Sequence, residues 1–154
     1  MNEKKSQYPL ILNQATVTLT QREQENLKVT QRLITAFSEG HLQEMLTYLT
    51  DDVEFRVCLP EEIPMGGLFR GPEGVLKFFE NHKKLLDMEW EKHEHTLAQG
   101  DVVVIIGRER ARIMPHGRIY EEDFALSFTF RDGKISKFYG FGEGLALLKA
   151  YRGE

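Results

Sequence analysis

Residues 124–142 read FALSFTFRDGKISKFYGFG and carry the strongest local signal in the chain. In the first half, apolar residues alternate with small or polar ones, a period typical of a half-buried strand: Phe124, Leu126, Phe128 and Phe130. Asp132-Gly133 separates this strand from a second one over residues 134–142. Because Asp-Gly favours the positive φ angles of a type I′ turn, the segment predicts a β-hairpin.

The order of elements around this hairpin predicts an α+β fold. A capping box at residues 20–23 starts a first helix, a short second helix begins near Leu42, and Gly71-Pro72 starts a third. Strands are predicted over residues 53–57, 88–97, 102–114 and 118–131, whereas residues 58–70, with two prolines, are predicted to be a loop. We expect a curved antiparallel sheet wrapped around three N-terminal helices, shaped as a cone with an open mouth.

Composition and charge narrow the class of protein. The 154 residues predict a single domain over residues 20–152, after an N-terminal arm over residues 1–19. That arm is either partly ordered or a strand that packs on a partner subunit.

A net charge of −4 without a basic stripe speaks against a nucleic-acid partner, and no apolar run approaches the ~20 residues of a membrane span. Since Cys58 is the only cysteine, we expect a reducing, cytoplasmic location.

Hairpin geometry predicts which residues face the interior. A register that places Arg110 opposite Asp123 and Arg112 opposite Glu121 forms two favourable cross-strand charge pairs and turns the arginines outward. The opposite, inner face then holds Glu109, Tyr120, Glu122, Phe124, Leu126 and Phe128. The Asp-Gly turn adds Ile135, Tyr139 and Phe141 to this face. Lys137 also falls there, so it either sits at a rim or follows a β-bulge that changes the phase.

Two carboxylates on this apolar inner face, Glu109 and Glu122, are the candidate catalytic residues, because a carboxylate there is costly unless it is paired or protonated. The structural alternative is that each lies near an open end or bonds a neighbouring aromatic side chain. Trp90 is predicted beside Glu109, where its indole N–H could bind the carboxylate or a ligand.

The histidines give weaker signals. His93 and His95 are two residues apart on one strand face, but no third metal ligand is fixed nearby, so exposed strand histidines are the favoured interpretation. His82 lies on the apolar face of the third helix, where a core histidine is the commoner role than a base. No glycine motif for phosphate binding is present, and we expect neither a cofactor nor a metal.

Three segments carry a family resemblance: FSEGHLQEMLTYLTDDVEF (37–55), FRGPEGVLKFF (69–79) and FTFRDGKISKFYGF (128–141). Their order and spacing over residues 25–151 resemble the NTF2-like superfamily, in its SnoaL-like or ketosteroid-isomerase-like branch. The resemblance implies a cone-shaped α+β fold, a mostly apolar pocket and often a homodimer. It also implies that Val57, Leu33 and Leu126 occupy the positions of the isomerase's base, oxyanion-binding tyrosine and second acid, so we predict no ketosteroid isomerase activity.

Two functions follow as alternatives. The first is a protein that binds a small apolar molecule, with a lyase, isomerase or cyclase reaction that uses Glu109 and Glu122 as acid and base. The second is a non-catalytic ligand-binding or protein-interaction module of the same fold. The predicted ligand-binding residues are Phe55, Val57, Trp90, Phe124, Leu126, Tyr139 and Phe141. Ala125, Ser127 and Phe138 are predicted on the outer face, where an apolar patch suggests a homodimer through the sheet.

Overall fold

The computed structural model describes residues 18–154, so the predicted arm lies almost entirely outside the described residues. Four helices are present: α1 (Gln21–Ser38), α2 (Leu42–Leu46), α3 (Gly71–Leu85) and α4 (Leu145–Arg152). The strands are β1 (Leu49–Val57), β2 (Gly67–Arg70), β3 (Leu86–Gln99), β4 (Val102–Ile113), β5 (Arg118–Arg131) and β6 (Lys134–Gly142). The predicted capping box starts α1, where the Glu23 amide donates to Thr20 Oγ1 at 3.2 Å. No helix within the described range is long and apolar enough to cross a membrane.

The strands form one six-stranded sheet in the order β2-β1-β6-β5-β4-β3. This architecture confirms the α+β fold, with one addition: β1 and β6 pair in parallel, so the sheet is mixed. The short strand β2 lies inside the segment predicted to be a loop and pairs with β1. The helices pack on the concave face, where Phe55 of β1 contacts the rings of Phe78, Phe79 and Phe138.

The predicted β5–β6 hairpin is confirmed. Its turn residues Asp132 and Gly133 have φ angles of 51° and 78°, as a type I′ turn requires. A bulge then changes the phase, because Phe130 pairs with Ile135 whereas Thr129 pairs with Lys137. The bulge was one of the two explanations offered for Lys137.

Because of this bulge, three side chains of β6 lie on the face of the sheet opposite to the predicted one. Phe138 pairs with Phe128 and is buried on the inner face, so its predicted outward position is wrong. Tyr139 and Phe141 pair with Ser127 and Ala125 and therefore take outer-face positions, and their rings stack there at 5.8 Å. The cause is one extra residue in β6, which reverses the alternation after Ile135.

The register of β4 and β5 differs from the predicted one by two residues. Arg108 pairs with Asp123 and Arg110 with Glu121, because the connecting turn takes the four residues 114–117 and brings Ile113 opposite Arg118. The predicted pairs of Arg110 with Asp123 and Arg112 with Glu121 are therefore wrong. Since side chains alternate with a period of two, this shift leaves every predicted inner-face residue of both strands on the inner face.

Two bulges in β3 change which of its side chains face inward. The first separates the pairs Met88–Ala111 and Trp90–Arg110, so Trp90 joins the outer face and the prediction that it lies beside Glu109 is wrong. Lys92 Nζ lies 5.0 Å from the centre of the Trp90 ring. The second bulge places His93 opposite Gly107 but His95 opposite Ile106, so the two histidines lie on opposite faces rather than on one.

Candidate functional site

A cavity of about 160 Å³ lies between the helices and the concave face of the sheet. Its helical wall is formed by Leu33, Ile34, Phe37, Met45, Phe78, Phe79, His82 and Leu147. Its sheet wall includes Phe55, Val57, Glu91, Glu109, Glu122, Phe124, Leu126, Phe128 and Phe138. Polar side chains are a small minority of this lining, which is typical of a site for a small apolar ligand.

The two predicted carboxylates face each other across neighbouring strands. The two-residue register shift makes Glu109 of β4 and Glu122 of β5 direct partners, which the predicted register did not. The Tyr120 hydroxyl donates a hydrogen bond to Glu109 Oε1 at 2.8 Å, and the Gly144 amide donates to Glu122 Oε2 at 3.1 Å. Glu122 is only 6% exposed. An acidic pair with separate hydrogen-bond donors therefore lines the apolar cavity.

The surroundings of Glu109 and Glu122 give the two carboxyl groups different proton affinities. Burial raises the pKa of Glu109 to about 8, and the charge of Glu122 adds to this effect against the opposing Tyr120 hydrogen bond. Burial also raises the pKa of Glu122, but the Gly144 amide and a hydrogen bond from Glu109 stabilise its charged form. The hydrogen bond between the two groups therefore favours the proton on Glu109 and the negative charge on Glu122. Two acidic groups with separated proton affinities can act as an acid and a base.

Tyr120 is fixed in this arrangement by its own environment. Burial and the neighbouring Glu109 hold the pKa of the Tyr120 hydroxyl well above its usual range. The phenol therefore stays protonated and acts as a hydrogen-bond donor. It lies on the predicted inner face, and its bond to Glu109 matches the alternative in which this carboxylate bonds a neighbouring aromatic side chain.

Glu91 is a site residue that sequence reasoning missed. It pairs with Glu109 across β3 and β4, so three carboxylates from adjacent strands form one row on the concave face: Glu91, Glu109 and Glu122. Its carboxylate Oε1 lies 2.5 Å from Nε2 of His93, and these side chains are 36% and 27% exposed. Regular alternation through Trp90 predicts the opposite face for Glu91, and no sequence signal marked the bulge that reverses it.

His82 is the polar side chain of the helical wall. Its imidazole meets the ring edges of Phe37 and Phe78 at centroid distances of 4.9 and 6.2 Å. Burial lowers the pKa of His82 to about 4, so the imidazole is neutral at physiological pH. Within residues 18–154 no protein group bonds its ring nitrogens, which are not among the fully buried unpaired atoms because the half-buried side chain borders a groove.

The predicted ligand-binding residues divide into two groups. The cavity lining includes five of them: Phe55, Val57, Phe124, Leu126 and Phe141, of which Phe141 borders the cavity although its register position is on the outer face. Trp90 and Tyr139 are not among the lining residues, because the bulges in β3 and β6 turn them to the outer face. Leu33, Val57 and Leu126, which stand where the isomerase resemblance implies polar groups, all line the cavity with aliphatic side chains.

No cluster of three or more metal-ligating side chains occurs in the part of the chain that the structure describes. His93 and His95 cannot share a metal ion from one strand face, because the second bulge of β3 separates them.

Comparison with known proteins gives a consistent family match. The family model of the SnoaL-like domain matches residues 30–138, from the middle of α1 into β6. This range contains Glu91, Glu109 and Glu122 as well as most of the cavity lining. No curated protein matches the chain.

Solved structures share the architecture at low sequence identity. An NTF2-like protein from Burkholderia xenovorans LB400 is 23% identical, with a TM-score of 0.77 over 83% of this chain and 96% of that chain. An NTF2-like protein of unknown function from Burkholderia pseudomallei K96243 is 19% identical, with a TM-score of 0.73 over 82% and 96% of the two chains. TerC, co-crystallised with polyporic acid, is 23% identical, with a TM-score of 0.72 over 82% and 97%. Likeness at these identities shows the fold alone.

Proposed function

The chain belongs to the SnoaL-like domain family of the NTF2-like superfamily, and from this premise and the site geometry we propose that it catalyses proton transfer on a small ring ketone. The observation that carries the proposal is the Glu109–Glu122 pair, two direct cross-strand partners that line an apolar cavity and whose interaction favours the proton on Glu109. Proteins that share one fold can catalyse different reactions, so the proposed reaction rests on the residues of this site.

The size of the cavity supports a ligand with a single ring. A cavity of about 160 Å³ is close to the ~150 Å³ of an engineered cavity that binds benzene. A steroid is several times larger than benzene, so the cavity size agrees with the prediction of no ketosteroid isomerase activity. Leu33, Val57 and Leu126 agree with it as well, because none can donate or accept a proton.

The acid and the base have complementary tasks in this reaction. Glu122 removes a proton from the carbon next to the carbonyl group, and the electron pair of the C–H bond forms a carbon–carbon double bond. The carbonyl oxygen then takes the proton of Glu109, which yields the enol and leaves Glu109 as the anion. Return of the proton to carbon restores the ketone or gives an isomer, so the step needs no oxidant and no reductant. Tyr120 stabilises the Glu109 anion through its hydroxyl group.

Exchange of the α-protons of cyclohexanone in D₂O, followed by proton NMR, tests the proposal. We expect the protein to accelerate exchange, and Glu122→Gln to remove the acceleration. Glu109→Gln should slow exchange by roughly 10²–10⁴-fold, the usual effect of a lost general acid. Glu94→Gln, at the second bulge of β3, is a matched control outside the cavity lining and should exchange like the unaltered protein.

Cyclohexanone binding separates the two alternatives for this fold. If cyclohexanone binds but exchange is equally slow in the unaltered protein and in Glu122→Gln, the catalytic proposal is wrong and a non-catalytic binding module is supported. TerC, a protein of this fold, was co-crystallised with polyporic acid, which supports an organic ligand for the present fold without specifying its size or charge.

We also propose that the chain forms a homodimer through the outer face of the sheet. Ile106, Ala125 and Phe141 form one cross-strand row there, and Ile106 and Phe141 are 40% and 47% exposed. Rows of Arg108–Asp123 and Arg110–Glu121 flank this apolar row, so the face carries both charge signs and can complement a copy of itself around a two-fold axis. Phe141→Lys should convert a dimer into a monomer in sedimentation velocity at micromolar concentration. A monomeric unaltered protein would contradict the proposal.

A further inference from the structure

The polar groups of the cavity lie on two facing walls. Glu109 and Glu122 belong to the sheet wall, whereas His82 comes from α3 in the helical wall. All other helical residues in the described lining are apolar, so His82 alone offers a hydrogen bond from that side. A ligand between the two walls therefore meets polar groups at both ends and apolar groups around its middle.

His82 has no structural role that requires an imidazole. Phe37 and Phe78 approach its ring edge to face, and a phenyl ring would satisfy the same contacts. A polar side chain in apolar surroundings lowers stability unless it gains a hydrogen bond. No protein group bonds His82 within residues 18–154 and the half-buried side chain borders the groove, so a bound ligand can replace water as its hydrogen-bond partner.

Charge restricts the ligand that His82 can recognise. Its imidazole is neutral, so it offers one donor and one acceptor but no positive charge. The facing wall holds the Glu122 carboxylate and Glu91, which disfavour an anionic ligand. A neutral hydroxyl or carbonyl group fits these conditions, whereas a carboxylate does not.

The ligand can reach His82 from outside the cavity. A groove between α1, α3 and β3 is lined by Ser38, Lys83, Met88 and His93, and it shares with the cavity Ile34, Phe37, His82, Leu86 and Glu91. The shared residues show that the two spaces meet at His82. A ring that enters through the groove therefore passes His82 before it reaches the carboxyl pair.

From this arrangement we propose that the substrate is a neutral ring with two oxygen functions at opposite ends, a ketone bound at Glu109 and a hydroxyl or second carbonyl group bound by His82. This inference rests on the proposed function, which requires only the ketone. It names a specificity residue on α3 and a chemical class, namely hydroxyketones and diketones of a single ring.

Calorimetric titration of cyclohexanone and 4-hydroxycyclohexanone into the unaltered protein tests the inference. The hydroxyl group should tighten binding about three- to tenfold, the effect of one additional neutral hydrogen bond. In His82→Phe this preference should vanish, so that the two Kd values become equal whatever the change in the Kd of cyclohexanone itself. His82→Gln keeps a donor and an acceptor and should keep a preference for 4-hydroxycyclohexanone.

The outcomes separate this inference from the proposed function. If the unaltered protein binds both ketones with equal affinity, the proposed role of His82 is wrong but ketone binding is still supported. The same conclusion follows if His82→Phe keeps the full preference for 4-hydroxycyclohexanone. If neither ketone binds, the proposed function fails and this inference fails with it. Should His82→Phe not fold, His82→Met provides the same comparison with an unbranched apolar side chain.

Discussion

The burial of Glu109 should make the stability of the protein fall as the pH rises. In the folded chain its pKa is about 8, above the 4.5 of the unfolded chain. A carboxyl group whose folded pKa is raised contributes stability that is fully present below pH 4.5 and is lost as the pH rises towards 8. Glu109→Gln removes this ionisation from both states while leaving an amide that can accept from Tyr120.

The size of the effect follows from the difference in pKa. At about 1.36 kcal/mol per unit of pKa, ionisation of Glu109 should cost roughly 2–4 kcal/mol of unfolding free energy between pH 5 and pH 9. A typical domain is stable by about 5–15 kcal/mol, so this cost is readily measured. Glu109→Gln should therefore unfold like the unaltered protein at pH 5 and be more stable by this amount at pH 9.

Urea unfolding at pH 5, 7 and 9, followed by circular dichroism, measures the difference. Taking the difference between variant and unaltered protein at each pH cancels the titrating groups that do not interact with Glu109, among them His82, whose lowered pKa reduces stability as the pH falls from 6.5 towards 4. The exposed Glu94→Gln serves as the control and should show a constant difference across the three conditions. Parallel profiles for Glu109→Gln and the unaltered protein would refute the reasoning, because Glu109 would then ionise as readily in the folded chain as in the unfolded one.

Three further perturbations test the packing around the site. Tyr120→Phe removes the 2.8 Å hydrogen bond that lowers the pKa of Glu109, so the titration midpoint of the ¹³C-labelled Glu109 carboxyl should rise; a fall would show that the hydroxyl stabilises the neutral acid. Phe55→Ala removes a ring that is 1% exposed and should lower the unfolding free energy by about 3–5 kcal/mol in urea titrations, whereas a loss below about 1 kcal/mol would mean that the aromatic cluster is loosely packed. Gly107→Ala places a methyl group 2.2 Å from the Lys92 carbonyl oxygen, so the melting temperature should fall, and an unchanged value would contradict the close approach of β3 and β4.

The elements that local patterns specify were predictable from the sequence. The Asp132-Gly133 turn needs only two residues that accept positive φ, and the capping box needs only Thr20 and Glu23. The inner face of β4 and β5 was predictable as well, because a register error of two residues does not change the face of any side chain. Glu109 and Glu122 were therefore assigned to the interior even though their direct pairing was not foreseen.

The bulges were not predictable, and they account for the misplaced residues. A bulge inserts one residue without a distinct amino-acid signal, and its position depends on how neighbouring strands and helices pack. Every side chain beyond a bulge changes face, which explains why Trp90 and Tyr139 lie outside the cavity and why Glu91 and Phe138 lie inside. The length of the β4–β5 turn had a similar effect on the charge pairs, since the four turn residues bring Ile113 opposite Arg118 and thereby move the partners along the strand.

The bulge at Ser136 has a consequence for how this pocket could change in evolution. It lies between the Asp-Gly turn and the part of β6 that lines the cavity. The one extra residue of the bulge determines which side chains of that part face the cavity. Deletion of a single codon here would exchange Phe138 and Gly140 with Tyr139 and Phe141 between cavity and outer face, without altering any other codon. One such event would add a phenol to the ligand site and remove the aromatic pair from the proposed subunit contact. In the proposed dimer, the length of this one strand links ligand specificity to subunit assembly.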